Sequence, residues 1–176
     1  LGLNNVLVTA TDVQGNSTSI TAVVTVEDNI APSVQTKTAT IYLNASGLAS
    51  LNKAMVNNGS SDNCGIDTMW LSQQTFDCTK LGQNSIQLLV KDVSGNQNSS
   101  SVTISVMDTI SPNASAMAGN VYLDASGTAS VSAIDFNNAS SDHCGLSSYS
   151  LSLSNFNCRH VGVNNLQFSA FDASGN

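Results

Sequence analysis

The stretch SIQLLVKDVSGNQNSSSVTISVMD at 85–108 decides the fold of this 176-residue chain. Apolar and polar residues alternate on both sides of its centre. The alternating apolar positions are Ile86, Leu88, Val90, Val102, Ile104 and Val106. A period of two is typical of half-buried β-strands, and the central DVSGN at 92–96 has the composition of a turn. The stretch therefore predicts two strands joined by a tight turn.

The same turn occurs three times at a spacing of 80 residues, as DVQGN at 12–16, DVSGN at 92–96 and DASGN at 172–176. Longer segments match at this offset without an insertion, such as NNGSSDNCG at 57–65 with NNASSDHCG at 137–145. The strand alternation recurs at Val6, Val8, Ala10, Leu166, Phe168 and Ala170. A fixed period of this length indicates a tandem array of folded units.

The links Asp28–Pro32 and Asp108–Pro112 indicate the unit boundaries, because proline cannot continue a sheet ladder. We expect the C-terminal strands of one repeat at 1–28, a complete repeat at 29–108, and a repeat lacking its last strand at 109–176. Many short strands, turn residues between them and no helical periodicity predict an all-β fold. The prediction is a tandem series of immunoglobulin-like antiparallel β-sandwich repeats of 80 residues.

The composition restricts the partners. Only 10% of the residues are charged, against about 25% in typical soluble proteins, and the net charge is −7 with five Lys plus Arg. Phosphate binding needs clustered cations, so we expect no nucleic-acid partner. No apolar run reaches the roughly 18 residues that span a bilayer. The strand pattern is under way at Leu1 and a turn ends at Asn176, so we expect the array to continue on both sides.

Each repeat carries two cysteines at the same spacing, Cys64 with Cys78 and Cys144 with Cys158. We predict two disulfides within repeats, each closing a loop of about 15 residues and contributing roughly 3 kcal/mol. A structural zinc site would need about four Cys or His ligands in close pairs, which this spacing does not supply. Disulfides indicate an oxidising, extracellular location.

The segments SSDNCG at 60–65, GQNSIQLLVKDVSGN at 82–96 and VTISVMDTISP at 102–112 resemble the hyalin-repeat (HYR-like) domain. Copies with a cysteine after the loop are similar to those arrayed on giant bacterial cell-surface proteins, including gliding-motility adhesins. The resemblance covers the whole chain. It implies immunoglobulin-like units with a role in cell adhesion at the cell surface, and neighbouring repeats as contact partners.

Three acidic positions keep the period of 80: the link aspartate, the aspartate of the SSD loop, and the aspartate that opens the turn. They are Asp28, Asp62 and Asp92 at one joint, and Asp108, Asp142 and Asp172 at the next. In an immunoglobulin-like sandwich the link and the two loops lie at the same pole, so the carboxylates of one joint should converge.

Converging carboxylates repel one another unless a cation or protons neutralise them, and oxygen ligands in flexible loops suit Ca²⁺. We predict an interdomain Ca²⁺ site at each joint, with backbone carbonyls near Asn29 or Asn96 completing the ligands. Mg²⁺ would demand a tighter octahedral geometry. The alternative is that these aspartates are turn residues that bond their own backbone.

We expect no enzyme, because no Ser-His-Asp arrangement repeats and the repeat at 29–108 has no histidine to act as a base. The favoured function is a stalk, stiffened by calcium and stapled by disulfides, that presents adhesive domains of a secreted cell-surface adhesin. The alternative is that the repeats themselves bind polysaccharide, other surfaces or each other. An exposed aromatic in register would favour direct binding, but Trp70 is replaced by Ser150 in the next repeat.

Overall fold

The structure is a computed structural model that describes residues 2–176; Leu1, the first residue of the predicted segment 1–28, lies outside them. The chain is mostly β, with 47% of residues in strands and 8% in helices. The strands are β1 (Gly2–Thr11), β2 (Ser17–Val26), β3 (Ala39–Tyr42), β4 (Leu48–Ser50), β5 (Ile66–Leu71), β6 (Thr75–Asp77), β7 (Gly82–Asp92), β8 (Gln97–Met107), β9 (Thr128–Ser130), β10 (Leu146–Leu151), β11 (Asn155–Asn157) and β12 (Phe168–Asp172).

Helical structure in the described residues is limited to single turns. A short α-helix, α1, spans Lys53–Val56, and 3₁₀ turns span Cys78–Lys80, Ala133–Phe136 and Cys158–His160. Segments this short contain too few residues to produce a 3.6-residue apolar period, which is why the sequence gives no sign of them. Val56 of α1 is nevertheless fully buried.

The strands predicted from the stretch 85–108 are confirmed as β7 and β8, which are neighbours in a four-stranded sheet of order β3-β8-β7-β5. β3 runs parallel to β8, from the pair Ala39 and Ile104 to the pair Tyr42 and Met107. β5 runs antiparallel to β7. β4 and β6 form a separate antiparallel pair. The all-β prediction is therefore confirmed at the level of strand content and sheets.

The chain divides into two compact units: the chain up to Lys37 with Lys53–Gln73 and Ile86–Val102, and Thr38–Asn52 with Gln74–Ser85 and Thr103–Asn176. The first unit buries Val56, Leu71, Ile86, Leu88, Val90 and Val102. The second buries Ile41, Leu43, Leu51, Phe76, Ile104, Val106 and Phe156. Every second residue of β7 and β8 lies in these cores, as the alternation predicts. The boundaries 1–28, 29–108 and 109–176 remain a prediction.

The β1–β2 hairpin differs from the prediction of half-buried strands. Its residues pair in register from Gly2 with Val26 to Thr11 with Ser17, yet all of them are exposed. The two strands form a sheet of their own, with no third strand among residues 2–176. Their alternating pattern is correct for a strand, but burial requires a second layer to pack on it.

The repeat at 109–176 reproduces part of the preceding sheet pattern. β9 pairs with β11 as β4 does with β6, and β10 pairs with β12 as β5 does with β7. Residues 119–122, the counterparts of β3, form no strand, and Leu166 precedes β12 instead of lying in it. In the preceding repeat β3 pairs with β8. The described residues contain no counterpart of β8 for this repeat, so the ladder lacks the strand that would order these segments.

Leu88 of β7 tests the core. Leu88 is fully buried and Leu7 of β1 is 67% exposed. Leu88→Ala removes buried methyl groups and leaves a cavity, so we expect a loss of about 2–5 kcal/mol in the free energy of unfolding. Leu7→Ala, the same change at an exposed position, should stay within about 0.5 kcal/mol. Urea unfolding followed by circular dichroism measures both, and equal losses would contradict the assignment of this core.

Candidate metal centre

The turn at 92–96 surrounds a buried carboxylate. Asp92, the last residue of β7, is 0% exposed. Its Oδ1 accepts hydrogen bonds from the backbone N–H groups of Ser94 (2.9 Å) and Asn96 (2.8 Å), and its Oδ2 accepts from Nδ2 of Asn96 (2.8 Å). A buried charge is costly unless it is hydrogen-bonded or paired, so these donors are what allow Asp92 to end a core strand.

The SSD loop supplies a second carboxylate. Oδ2 of Asp62 accepts from the backbone N–H groups of Cys64 (2.8 Å) and Gly65 (3.2 Å). Oδ1 of Asp62 is buried and has no hydrogen-bond partner among the described residues. A buried carboxylate oxygen without a partner loses its hydration without compensation. A cation beside this oxygen would supply what the protein does not.

The link supplies the third carboxylate. Oδ1 of Asp28 accepts from the backbone N–H of Ile30 (3.1 Å) and from Nδ2 of Asn63 (3.5 Å), and Oδ2 accepts from the Ser94 hydroxyl (3.4 Å). The Ile30 N–H contributes most to lowering the pKa of Asp28 below its ordinary 3.8; desolvation opposes this, and side-chain bonds from Cys64, Asn63 and Ser94 add to it. Asp28 is therefore ionised at neutral pH.

Asp28, Asp62 and Asp92 each offer a carboxylate oxygen, and these oxygens lie within 4.8 Å of one another. The predicted convergence at this joint is confirmed. Three like charges this close repel one another, and they stabilise one another only through a shared cation or protons. With hard oxygen donors from three segments and one unpartnered buried oxygen, the group can hold a metal ion.

Asn96 has a role that the sequence analysis did not identify. Its Nδ2 donates to the backbone carbonyls of Asp28 (3.1 Å) and Ile30 (3.4 Å) as well as to Asp92. The side chain thus ties the turn to the link. Its own carbonyl accepts from the N–H of Asp92 (3.0 Å). Metal ligation by carbonyls near Asn96 or Asn29 remains a prediction.

The second joint differs from the first. The ligand atoms within 4.8 Å of one another belong to Asp108, Asp142 and Cys144, and the predicted third carboxylate, Asp172, is not in this group. Cys144 is in a disulfide with Cys78, and the sulfur that binds metals is the thiolate. Two carboxylates then remain, so the first joint is the stronger candidate.

Asp172 keeps the bonding pattern of the turn. Burial would raise its pKa, but hydrogen bonds from the Asn176 side chain and from the backbone N–H groups of Asn176, Ser174 and Gly175 lower it below 3.8. Nδ2 of Asn176 also donates to the backbone carbonyl of Asp108 (3.1 Å). The tie between turn and link is therefore present at both joints.

The disulfide pairing within repeats is wrong for this structure. Cys78 is bonded to Cys144, with 5.2 Å between their Cα atoms, whereas Cys64 and Cys158 are exposed thiols. Cys78 opens a 3₁₀ turn beside Gly47, and its sulfur lies 3.5 Å from the backbone carbonyl of His143, the residue before Cys144. Cys78 therefore meets the SSD loop of the next repeat. Equal spacing along the chain does not distinguish this pairing from one within a repeat.

The Cys64 thiol lies beside the acidic group. Desolvation contributes most to raising its pKa, and a hydrogen bond to Asp28 and the charges of Asp28 and Asp62 add to this. The sulfur is therefore held as a neutral thiol, not as a thiolate ligand for a metal.

Comparison of the chain with models of known protein families finds no match, and no curated protein matches it.

Asn96 and Asn16 provide a matched test of the tie. Both amides donate to the aspartate of their own turn, but the additional bonds to the link are those of Asn96. We expect Asn96→Ala to lower the free energy of unfolding by about 1–3 kcal/mol, because it leaves link carbonyls and the buried Asp92 short of a donor. Asn16→Ala, in an exposed turn, should cost clearly less. Urea denaturation of both variants decides this, and equal costs would mean that the link bonds contribute nothing.

The disulfide gives a second prediction. Cys78 and Cys144 are 66 residues apart, and a closed loop of this length contributes about 4 kcal/mol in the chain-entropy model. Cys78→Ser should lower the free energy of unfolding by about 2–4 kcal/mol, whereas Cys158→Ser should change it little. Thermal unfolding without reductant compares the two. With reductant, wild type and Cys78→Ser should become similar, and a persisting difference would indicate lost packing instead of a lost cross-link.

Proposed function

We propose that this chain belongs to a tandem array of immunoglobulin-like repeats that forms the stalk of a secreted cell-surface adhesin, with calcium bound at the joints. The observation that carries the proposal is the convergence of Asp28, Asp62 and Asp92 around a buried, unpartnered Asp62 Oδ1. The three residues come from a link, a loop and a turn. A cation held by them would restrict how these three segments move relative to one another.

The donor set favours calcium among the divalent cations. All three side chains are carboxylates, and Ca²⁺ takes six to eight oxygen ligands in irregular geometry, including backbone carbonyls and water. Mg²⁺ requires near-ideal octahedral geometry, which three separate loop segments provide poorly. Nitrogen and thiolate ligands, which zinc prefers, are missing from this group, since the neighbouring Cys64 is a neutral thiol.

The role as a stalk follows from the position of the bonds, in the proposed scheme. The sequence repeats with a fixed period, the Asn96 and Asn176 side chains tie turns to links, and the Cys78–Cys144 disulfide joins successive repeats. Such a series of braced joints suits a spacer. A disulfide is compatible with an extracellular protein. None of the described helices has the length and apolar character that a membrane crossing requires.

Calcium binding is tested by thermal unfolding in 10 mM CaCl₂ and in chelator. Extracellular calcium modules bind with Kd of about 10⁻⁴–10⁻³ M, so saturation should stabilise the fold by roughly 2 kcal/mol and raise Tm by about 4 °C or more. Asp62→Asn removes one ligand charge and should abolish most of this increase. Because it also removes repulsion, it should not lower Tm in chelator.

Two control variants sharpen the result. Asp67→Asn, at an exposed position of β5, should keep the full response to calcium. Asp142→Asn, the counterpart of Asp62 at the second joint, should reduce the response less than Asp62→Asn does. If Tm of the wild type does not depend on calcium, or if Asp62→Asn lowers Tm equally with and without calcium, the aspartates are turn residues and the calcium proposal fails.

A further inference from the structure

The two free thiols are the repeat counterparts of the two bonded cysteines. At the offset of 80 residues, Cys158 corresponds to Cys78, and Cys64 corresponds to Cys144. Each free thiol is therefore equivalent to one half of the bond that the structure contains. The bonded pair serves as an internal template against which the surroundings of the free thiols can be compared.

The surroundings of Cys158 reproduce those of Cys78. Each cysteine opens a 3₁₀ turn, and its sulfur lies close to the carbonyl of a glycine, 3.9 Å from that of Gly47 for Cys78 and 3.8 Å from that of Gly127 for Cys158. Both glycines have positive φ, +69° and +75°. A Cβ on either would approach the cysteine sulfur to 3.0 Å, so both sites depend on the missing side chain.

The surroundings of Cys64 reproduce those of Cys144. The backbone N–H of Cys64 donates to Asp62 (2.8 Å), and that of Cys144 donates to Asp142 (2.7 Å). The two loops share the sequence SSDxCG. Cys64 is thus presented by the same loop, with the same internal bond, as the cysteine that reaches the preceding repeat in the template.

We propose that Cys158, with the Gly127 turn beside it, is a docking and cross-linking site for the SSDxCG loop of a following copy of this repeat. Cys64 is the complementary half, which bonds the 3₁₀-turn cysteine of a preceding copy. The disulfides then form a continuous series in which every repeat is linked to the next. The partner is a further copy of the same repeat, since no other partner would carry both the loop and the cysteine in this register.

The chemistry is a two-electron oxidation. The thiols of Cys158 and of the incoming loop cysteine lose two protons and two electrons, and one S–S bond forms. A small-molecule disulfide such as oxidised glutathione accepts the electrons and becomes two thiols, through a mixed disulfide with one of the cysteines.

This inference rests on the proposed repeat array, but it does not depend on calcium or on adhesion. It is tested by extending the chain after Asn176 with a second copy of its own residues 97–176, which continues the period of 80. The protein is oxidised with glutathione and digested without reduction, and the linked peptides are identified by mass spectrometry. We expect Cys158 joined to the added copy of Cys144, beside the existing Cys78–Cys144 bond, with Cys64 and the added copy of Cys158 as thiols.

Three outcomes would overturn the proposal: a bond between the added copies of Cys144 and Cys158, Cys158 left as a thiol, or symmetric bonds between two chains. Hydrogen exchange at residues 119–122 shows whether the added strand has paired with them, as β8 pairs with β3. Free Cys158 together with protected 119–122 refutes the docking site. Unprotected 119–122 refutes the repeat continuation on which the inference rests.

Variants of the extended chain separate register from chance oxidation. Cys158→Ser should leave the added copy of Cys144 as a thiol, not transfer it to another cysteine. Gly127→Ala should slow formation of the Cys158 bond several-fold, whereas Gly162→Ala, at another glycine with positive φ but open space around it, should not. Repeating the mapping in chelator separates this inference from the calcium proposal, because the pairing should be unchanged there.

Discussion

A carboxylate buried at the end of a core strand is the constraint on which the rest of this structure depends. Asp92 follows Ile86, Leu88 and Val90 on the inward-facing side of β7, and it is as completely excluded from solvent as Leu88 and Val90 are. It is tolerated there because the turn supplies backbone N–H donors and the Asn96 amide. The need to satisfy one charge therefore fixes the form of the turn.

The same requirement connects the turn to the link. The Asn96 amide that satisfies Asp92 has a second hydrogen, and this side chain also donates to the link carbonyls of Asp28 and Ile30. The link in turn places the Asp28 carboxylate beside those of Asp62 and Asp92. The acidic group is a consequence of local hydrogen bonding, and the turn explanation and the metal explanation of these aspartates are compatible with each other.

The sequence allowed prediction of those features that depend on local period or on register. The alternation at 85–108 was enough for β7 and β8, and the period of 80 was enough to bring Asp28, Asp62 and Asp92 together. Features that depend on which surfaces meet could not be predicted in this way. Both disulfide pairings have identical spacing along the chain, and the exposure of β1 and β2 depends on a missing second layer.

The Cys78–Cys144 bond encloses β7, β8 and the link at Asp108 in a covalent ring whose ends are 66 residues apart. A pulling force along the polypeptide passes through the sulfur atoms and bypasses everything inside the ring. The enclosed strands can lose their hydrogen bonds without lengthening the molecule, and roughly 220 Å of extended chain is withheld from stretching. Mechanical resistance at this joint is thus set by a covalent bond, while the hydrogen-bonded turn and the acidic group inside the ring carry no load.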